Sequence, residues 1–191
     1  MLSVELIFDR TSADVFEAEE MMKLPWWEFT EEQQLAFLNG LRGCYDYTDL
    51  NRVETAVTEI SRRMVSLPER MNELSAELGG GWDKYQIPYK VSEADLKTKT
   101  TWSGTELMTE EERTRYLANV EYIRSIFAPD VSAVENFDNF DFEAANRIEE
   151  ILSTADFAVD ALEEKITNEI EEDAARFKIW SGEPYSGEVI I

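Results

Sequence analysis

The chain has no histidine, one cysteine and few cations. Against 41 Asp and Glu stand 18 Lys and Arg, which leaves a net charge of −23 over 191 residues. Each shortage excludes something. Without histidine, Ser-His-Asp and Cys-His nucleophile pairs, the metalloprotease helix and the Glu-x-x-His di-iron site cannot form. With Cys44 alone, no internal disulfide and no cysteine cluster for a metal is available. The scarcity of clustered Lys and Arg argues against nucleic acid or an anionic membrane as a direct partner. No run approaches the ~18 apolar residues needed to cross a bilayer. The start, MLSVELIFDR, lacks the basic and long apolar regions of a secretory signal. No Gly-Lys dipeptide offers a phosphate loop, and Gly79-Gly80-Gly81 follows a helical pattern instead of opening one.

What remains is a chain with 43% hydrophobic and 12% aromatic residues, enough for a packed core. Its periodicity predicts a mainly α fold, a helical bundle or coiled-coil-like array of long helices with short terminal β-segments. Leu2, Val4, Leu6 and Phe8 alternate, so residues 1–10 read as a strand or arm. Residues 11–175 read as the helical domain. Thr11 or Ser12 caps a first acidic helix, and Pro25-Trp26-Trp27 closes it. Thr30 and Thr109 each open a capping box, with Gln33 and Glu112 at the third position. Thr48 is the expected cap of a helix whose stripe runs Leu50, Val53, Val57, Ile60, Met64, Leu67 at spacings of 3 and 4, with Pro68 breaking it. Residues 79–108 read as an irregular insert with a short β-element at 85–91. Asp141 caps the longest predicted helix, 141–175, striped by Ile148, Leu152, Ala155, Val159, Leu162, Ile166 and Ile170. Residues 176–191 read as an extended tail containing a tandem pair, Trp180-Ser-Gly-Glu and Tyr185-Ser-Gly-Glu.

Few constellations offer chemistry. Asn136, Asp138, Asn139 and Asp141 supply hard oxygens, but Phe140 occupies a ligand slot and no glycine follows, so capping and turn formation are the better reading. Paired carboxylates suited to a glycosidase arise by chance among so many acids. Cys44 sits among acids that raise a thiol pKa, which favours a small packing side chain over a nucleophile. No cofactor, metal or catalytic residue is expected.

Three stretches together carry a resemblance: Tyr45-Asp46-Tyr47-Thr48-Asp49-Leu50-Asn51-Arg52-Val53, then Arg115-Tyr116-Leu117-Ala118-Asn119-Val120, then the Trp180–Glu188 tandem, with Asp9-Arg10-Thr11-Ser12-Ala13-Asp14 upstream. Their order and spacing resemble small structural proteins encoded in the tail modules of phages and prophages of Firmicutes and related gut bacteria. The resemblance implies a virion component of the tail tip, baseplate or fibre region, assembled in the host cytoplasm. It implies other tail or baseplate proteins as partners, a homo-oligomer, and no catalytic role. Tyr45, Tyr47, Asp49, Arg52, Arg115, Tyr116, Asn119, Trp180 and Tyr185 are the interface candidates. Arg52 and Arg115, scarce cations among acids, are each expected to pair with a carboxylate. The alternative reading of the charge is an acidic DNA mimic that blocks a nucleic-acid enzyme.

Overall fold

A computed structural model describes residues 1–77, 96–138 and 140–181, with only the backbone path over 70–77 and at most positions of 169–181. Five helices form: α1 (Ser12–Met22), α2 (Glu31–Leu38), α3 (Tyr47–Glu77), α4 (Glu110–Phe127) and α5 (Phe142–Ser181), with a 3-10 turn at Trp26–Glu28. The predicted capping boxes are present at Thr30 and Thr109, and Thr11, one of the two expected caps of α1, forms a third box with Asp14; in each, the hydroxyl accepts from the third residue's amide and that residue's side chain accepts from the cap amide. Asp141 Oδ1 accepts from the Ala144 amide at 2.8 Å and starts α5. Gly40, at φ +89°, terminates α2 in the left-handed region open to glycine. Gly43 lies against the α1 backbone, where an added Cβ would meet the Asp14 carbonyl oxygen at 2.0 Å.

Three expectations are corrected. Asp46, not Thr48, caps α3. Its Oδ1 accepts from the Thr48 amide at 2.7 Å while its own amide donates to Asp49 Oδ2 at 2.9 Å. The cap thus lies two residues earlier than expected, and it takes an orphan amide of the first turn that starts at Tyr47. Pro68 does not end α3, which runs on to Glu77. The apolar phase crosses the proline unbroken, with Leu67, Met71 and Leu74 stepping 4 and 3. The long final helix continues through Trp180 to Ser181, so 176–181 are helical. The predicted β-element at 85–91 and the tail from 182 lie outside the described residues.

No strand forms among the described residues, so the terminal β-segments are not supported at the N-terminus. Residues 1–10 instead form an arm over the α3–α5 seam. The alternation holds for Leu2, Val4 and Leu6, which pack on the core, and fails at Phe8, which is exposed. Helix carboxylates take the place of a neighbouring strand. The Leu2 amide donates to Asp156 at 3.3 Å, Ser3 to Glu59 at 2.8 Å and Ile7 to Glu149 at 2.6 Å. These three donors are satisfied without a ladder.

The core is a three-helix bundle in which α5 packs on both α3 and α4. Val53, Val57, Ile60 and Met64 of α3 meet Tyr116, Val120 and Ile123 of α4 and Ile148, Leu152, Ala155 and Val159 of α5, all buried. The stripes serve an interior seam within one chain. At 40 residues α5 is roughly 60 Å long at ~1.5 Å per residue, and it fits because α3 lies alongside it. The α1–α2 pair stands outside this core cluster, with Ala18, Met21 and Phe29 as its own buried apolar residues.

Candidate functional site

The predicted interface residues fall largely into the interior, around two ion clusters. In the first, Arg10 is 4% exposed and its Nη2 reaches Asp49 at 2.5 Å and Glu149 at 2.7 Å. Arg52 Nε donates to Glu149 Oε2 at 2.9 Å, and its Nη2 to Oε1 at 2.8 Å and to Asp49. Two guanidiniums thus face two carboxylates that are themselves buried, joining the arm, α3 and α5. Burial opposes the Arg52 charge, but the bonds to Glu149 and Asp49 outweigh it and hold its pKa above the ordinary arginine value. Asn146 adds a reciprocal pair with the Arg10 backbone, accepting at 3.0 Å and donating at 2.8 Å.

In the second cluster, Glu54 is 1% exposed and paired with Arg115 across α3 and α4. Arg115 Nη1 and Asn119 Nδ2 both donate to the Lys97 carbonyl, at 2.6 and 2.8 Å. Asn51 clasps the Trp102 backbone, accepting from its amide at 2.7 Å and donating to its carbonyl at 2.9 Å. These bonds strap 97–102 onto the bundle, and Trp102 is buried there. Tyr45 and Tyr116 join hydroxyl to hydroxyl. Burial pushes both phenols well above their ordinary range, so neither ionises near neutrality. The Tyr45 ring rests on Phe140 at 4.8 Å, and Tyr47 lies beside Gly104.

Both arginines expected to pair do so. Arg10, Glu54 and Glu149 were not singled out by the sequence. The signal was available for the acids, because Glu54 lies between Leu50 and Val57 at i+4 and i−3, and Glu149 between Ala145 and Leu152 likewise. An acid within an apolar stripe must find a cation. Trp180 lies on the last turn of α5, and its side chain and all of Tyr185 lie outside the described residues. Asn136 and Asp141 serve the turn and the α5 cap. The Cys44 thiol is pushed up by burial and then by Asp46, Asp49 and Glu19.

The surface with unspent apolar area lies elsewhere. Of twelve large apolar residues exposed among the described ones, eight fall in α1, α2 and the turn between them, including Phe16, Leu24, Trp27 and Leu38. Trp27 is 81% exposed, while Trp26 packs with Phe29 and Phe37 at 5.4 and 5.6 Å. Between α1, α2 and residues 40–43 runs an open groove of about 890 Å³. Its floor is Ala18 and Met21, its apolar walls are Phe16, Leu24, Ala36 and Leu41, and its rim carries Asp14, Glu17, Glu20 and Glu32. Arg42, the cation of the lining, is paired with Asp9 and Asp14.

No family model matches the chain, and comparisons with curated proteins and with solved structures return no match. No helix among the described residues is long and apolar enough to cross a membrane.

Proposed function

We propose that the chain is a non-catalytic structural protein of a phage virion, placed in the tail tip, baseplate or fibre region and working as an oligomeric scaffold or adaptor. The observation that carries the adaptor role is the division of the molecule into two parts. A three-helix bundle is locked by arginine–carboxylate clusters, and a helical pair beside it gathers most of the large apolar side chains exposed among the described residues. Isolated exposed apolar residues are ordinary on any surface, but a concentration of this kind marks an interaction site. The tail setting rests on the resemblance of residues 45–53, 115–120 and 180–188. Within the described part, these residues build the clusters that fix α3, α4 and the 97–102 strap.

The DNA-mimic reading gains less. It needs carboxylates arrayed like phosphates, about 1.7 Å of axis per charge. Here Asp49, Glu54, Glu149, Asp156 and Glu163 are turned toward Arg10, Arg52, Arg63 and Arg115 along the helix seams.

The reading is tested by gold-labelled antibody on virions purified from the host that carries the gene. Label at the distal tail, with light scattering giving more than one copy per particle of the purified protein, is the expected result. A monomer absent from virions overturns it.

A further inference from the structure

We propose that the groove between α1 and α2 is a docking site for a cationic amphipathic helix of another protein. The inference deepens the adaptor reading, on which it rests, and is indifferent to whether the assembly is a phage tail.

The shape sets the size of the occupant. A helix about 11 Å across fills roughly 500 Å³ per 5.4 Å turn, so a groove of about 890 Å³ holds a little under two turns. That corresponds to apolar anchors at i, i+3 or i+4, and i+7. Ala18 and Met21 form the floor such anchors would meet, and Phe16 and Leu24, 60% and 40% exposed, stand as walls with apolar area still open to water.

The charge sets its sign. Residues 12–43 hold seven acids (14, 17, 19, 20, 28, 31, 32) and two bases (23, 42), so the unit carries 2 − 7 = −5. Four of the acids rim the groove, and its one basic residue is occupied by Asp9 and Asp14. Asp14 is held below the ordinary carboxylate range by the Thr11 hydroxyl and amide and then by Arg42, so its negative charge persists to acid pH. A second copy docking through the same face would bring −5 against −5, a like-charge juxtaposition that an isologous interface cannot avoid. The chain's own last residues, 182–191, offer an apolar end but carry Glu183 and Glu188 and no base. Charge complementarity therefore selects a foreign segment with Lys or Arg flanking its apolar stripe.

The test uses the full chain, isotopically labelled for amide NMR and titrated in parallel by calorimetry. The probe is an 18-residue peptide with leucines on one helical face and lysines elsewhere. Controls are the same composition scrambled to destroy the face, and a Leu/Glu peptide of the same pattern. The expected result is a saturable one-to-one complex with shifts confined to α1, α2 and 40–43, and no complex with either control. The paired change Glu17→Lys, Glu32→Lys, and separately Leu24→Ser, each weaken binding by about tenfold or more, whereas Glu150→Lys on exposed α5 changes it less than about twofold. Circular dichroism on each variant verifies the fold, and the substituted positions are exposed. Equal binding of the scrambled peptide, equal weakening by Glu150→Lys, or shifts spread over α4 and α5 would mean generic polyanion binding and overturn the proposal. A homodimer dissolved by Leu24→Ser would also overturn it, in favour of a second copy. Loss of virion label with peptide binding intact would remove the tail setting alone.

Discussion

At the scale of single residues, the stability of the bundle turns on where its few cations go. Arg10 and Arg52 bring charge into an interior that Asp49 and Glu149 have already made negative. A buried ion pair contributes little relative to an apolar replacement, yet removing one partner leaves an uncompensated charge and costs roughly 3–5 kcal/mol. Arg10→Ala is therefore expected to lower stability by about that amount, read as a shifted urea midpoint at unchanged slope. The double change Arg10→Met, Glu149→Leu leaves Arg52 facing Asp49, a balanced pair, and should recover part of the loss. If the double variant falls as far as the sum of its singles, the cluster is not acting as one charge-balanced unit. Sequence made half of this cluster visible. Arg52 stood out as a cation in a helix, and its partnering followed from scarcity. Arg10 did not, because its burial depends on the arm folding back across α5, at a sequence separation of 139 from Glu149. Long-range placement of that kind leaves no local trace.

At the scale of elements, local chemistry was the most legible layer. The boxes at Thr30 and Thr109, the α1 cap and the Asp141 cap were readable because each is a side chain bonding a backbone amide three residues away. Pro68 is the instructive exception. A proline inside a helix forfeits one hydrogen bond and strains the preceding turn, at roughly 3 kcal/mol. The helix nonetheless continues, since the stripe on its N-terminal side, ending in Met64 and Leu67, is buried against α5 and the apolar phase carries on beyond it. Global pattern overrides a local breaker. Pro68→Ala should thus stabilise the protein, by about 2 kcal/mol once the freer unfolded chain is deducted. A higher melting temperature by calorimetry is the expected outcome, and a lower one would mean that α3 depends on the proline at this position. The missing N-terminal strand has the opposite lesson. Alternation correctly placed Leu2, Val4 and Leu6 inward, but alternation alone does not say whether the amides will meet another strand or the carboxylates of Glu59, Glu149 and Asp156.

The capping boxes also differ in how they respond to acid. Glu112 accepts from the Thr109 amide at 2.8 Å and hydroxyl at 3.0 Å, and Lys99 lies 3.3 Å away. The Thr109 bonds first, then Lys99, hold its carboxyl below the ordinary value of 4.5. A carboxyl depressed in the folded state adds stability above its unfolded pKa and loses it as pH falls through the lower folded value. Gln33, in the corresponding place of the α2 box, does not titrate. Glu112→Gln preserves the box geometry and removes the titration. Urea midpoints from pH 6 to pH 3 should therefore show the wild type ahead near neutrality and the gap closing below about pH 4.5. A gap that stays constant would place the effect in packing or in Lys99 instead.

At the scale of the whole molecule, the excess of acid opposes folding even while individual ion pairs support it. If every Lys and Arg neutralised one carboxylate, 41 − 18 = 23 acids would still repel one another. That repulsion is long-ranged. At about 0.01 M ionic strength the screening length is ~30 Å, and at 0.15 M it is ~8 Å. The buried clusters around Glu149 and Glu54 act at contact distance with little solvent between the partners, so salt affects them far less. Exposed pairs such as Lys23–Glu20 add little at any salt concentration. Raising NaCl from 0.01 to 0.15 M is therefore expected to raise the melting temperature, and a fall would show that the surface pairs outweigh the net repulsion. The groove should respond in the reverse sense, because attraction to a cationic helix is screened by the same ions. One salt titration, followed by melting and by peptide affinity, would thus see stability climb while docking weakens. Opposite slopes would assign the charge two separable roles, a burden on the fold and a means of selecting partners.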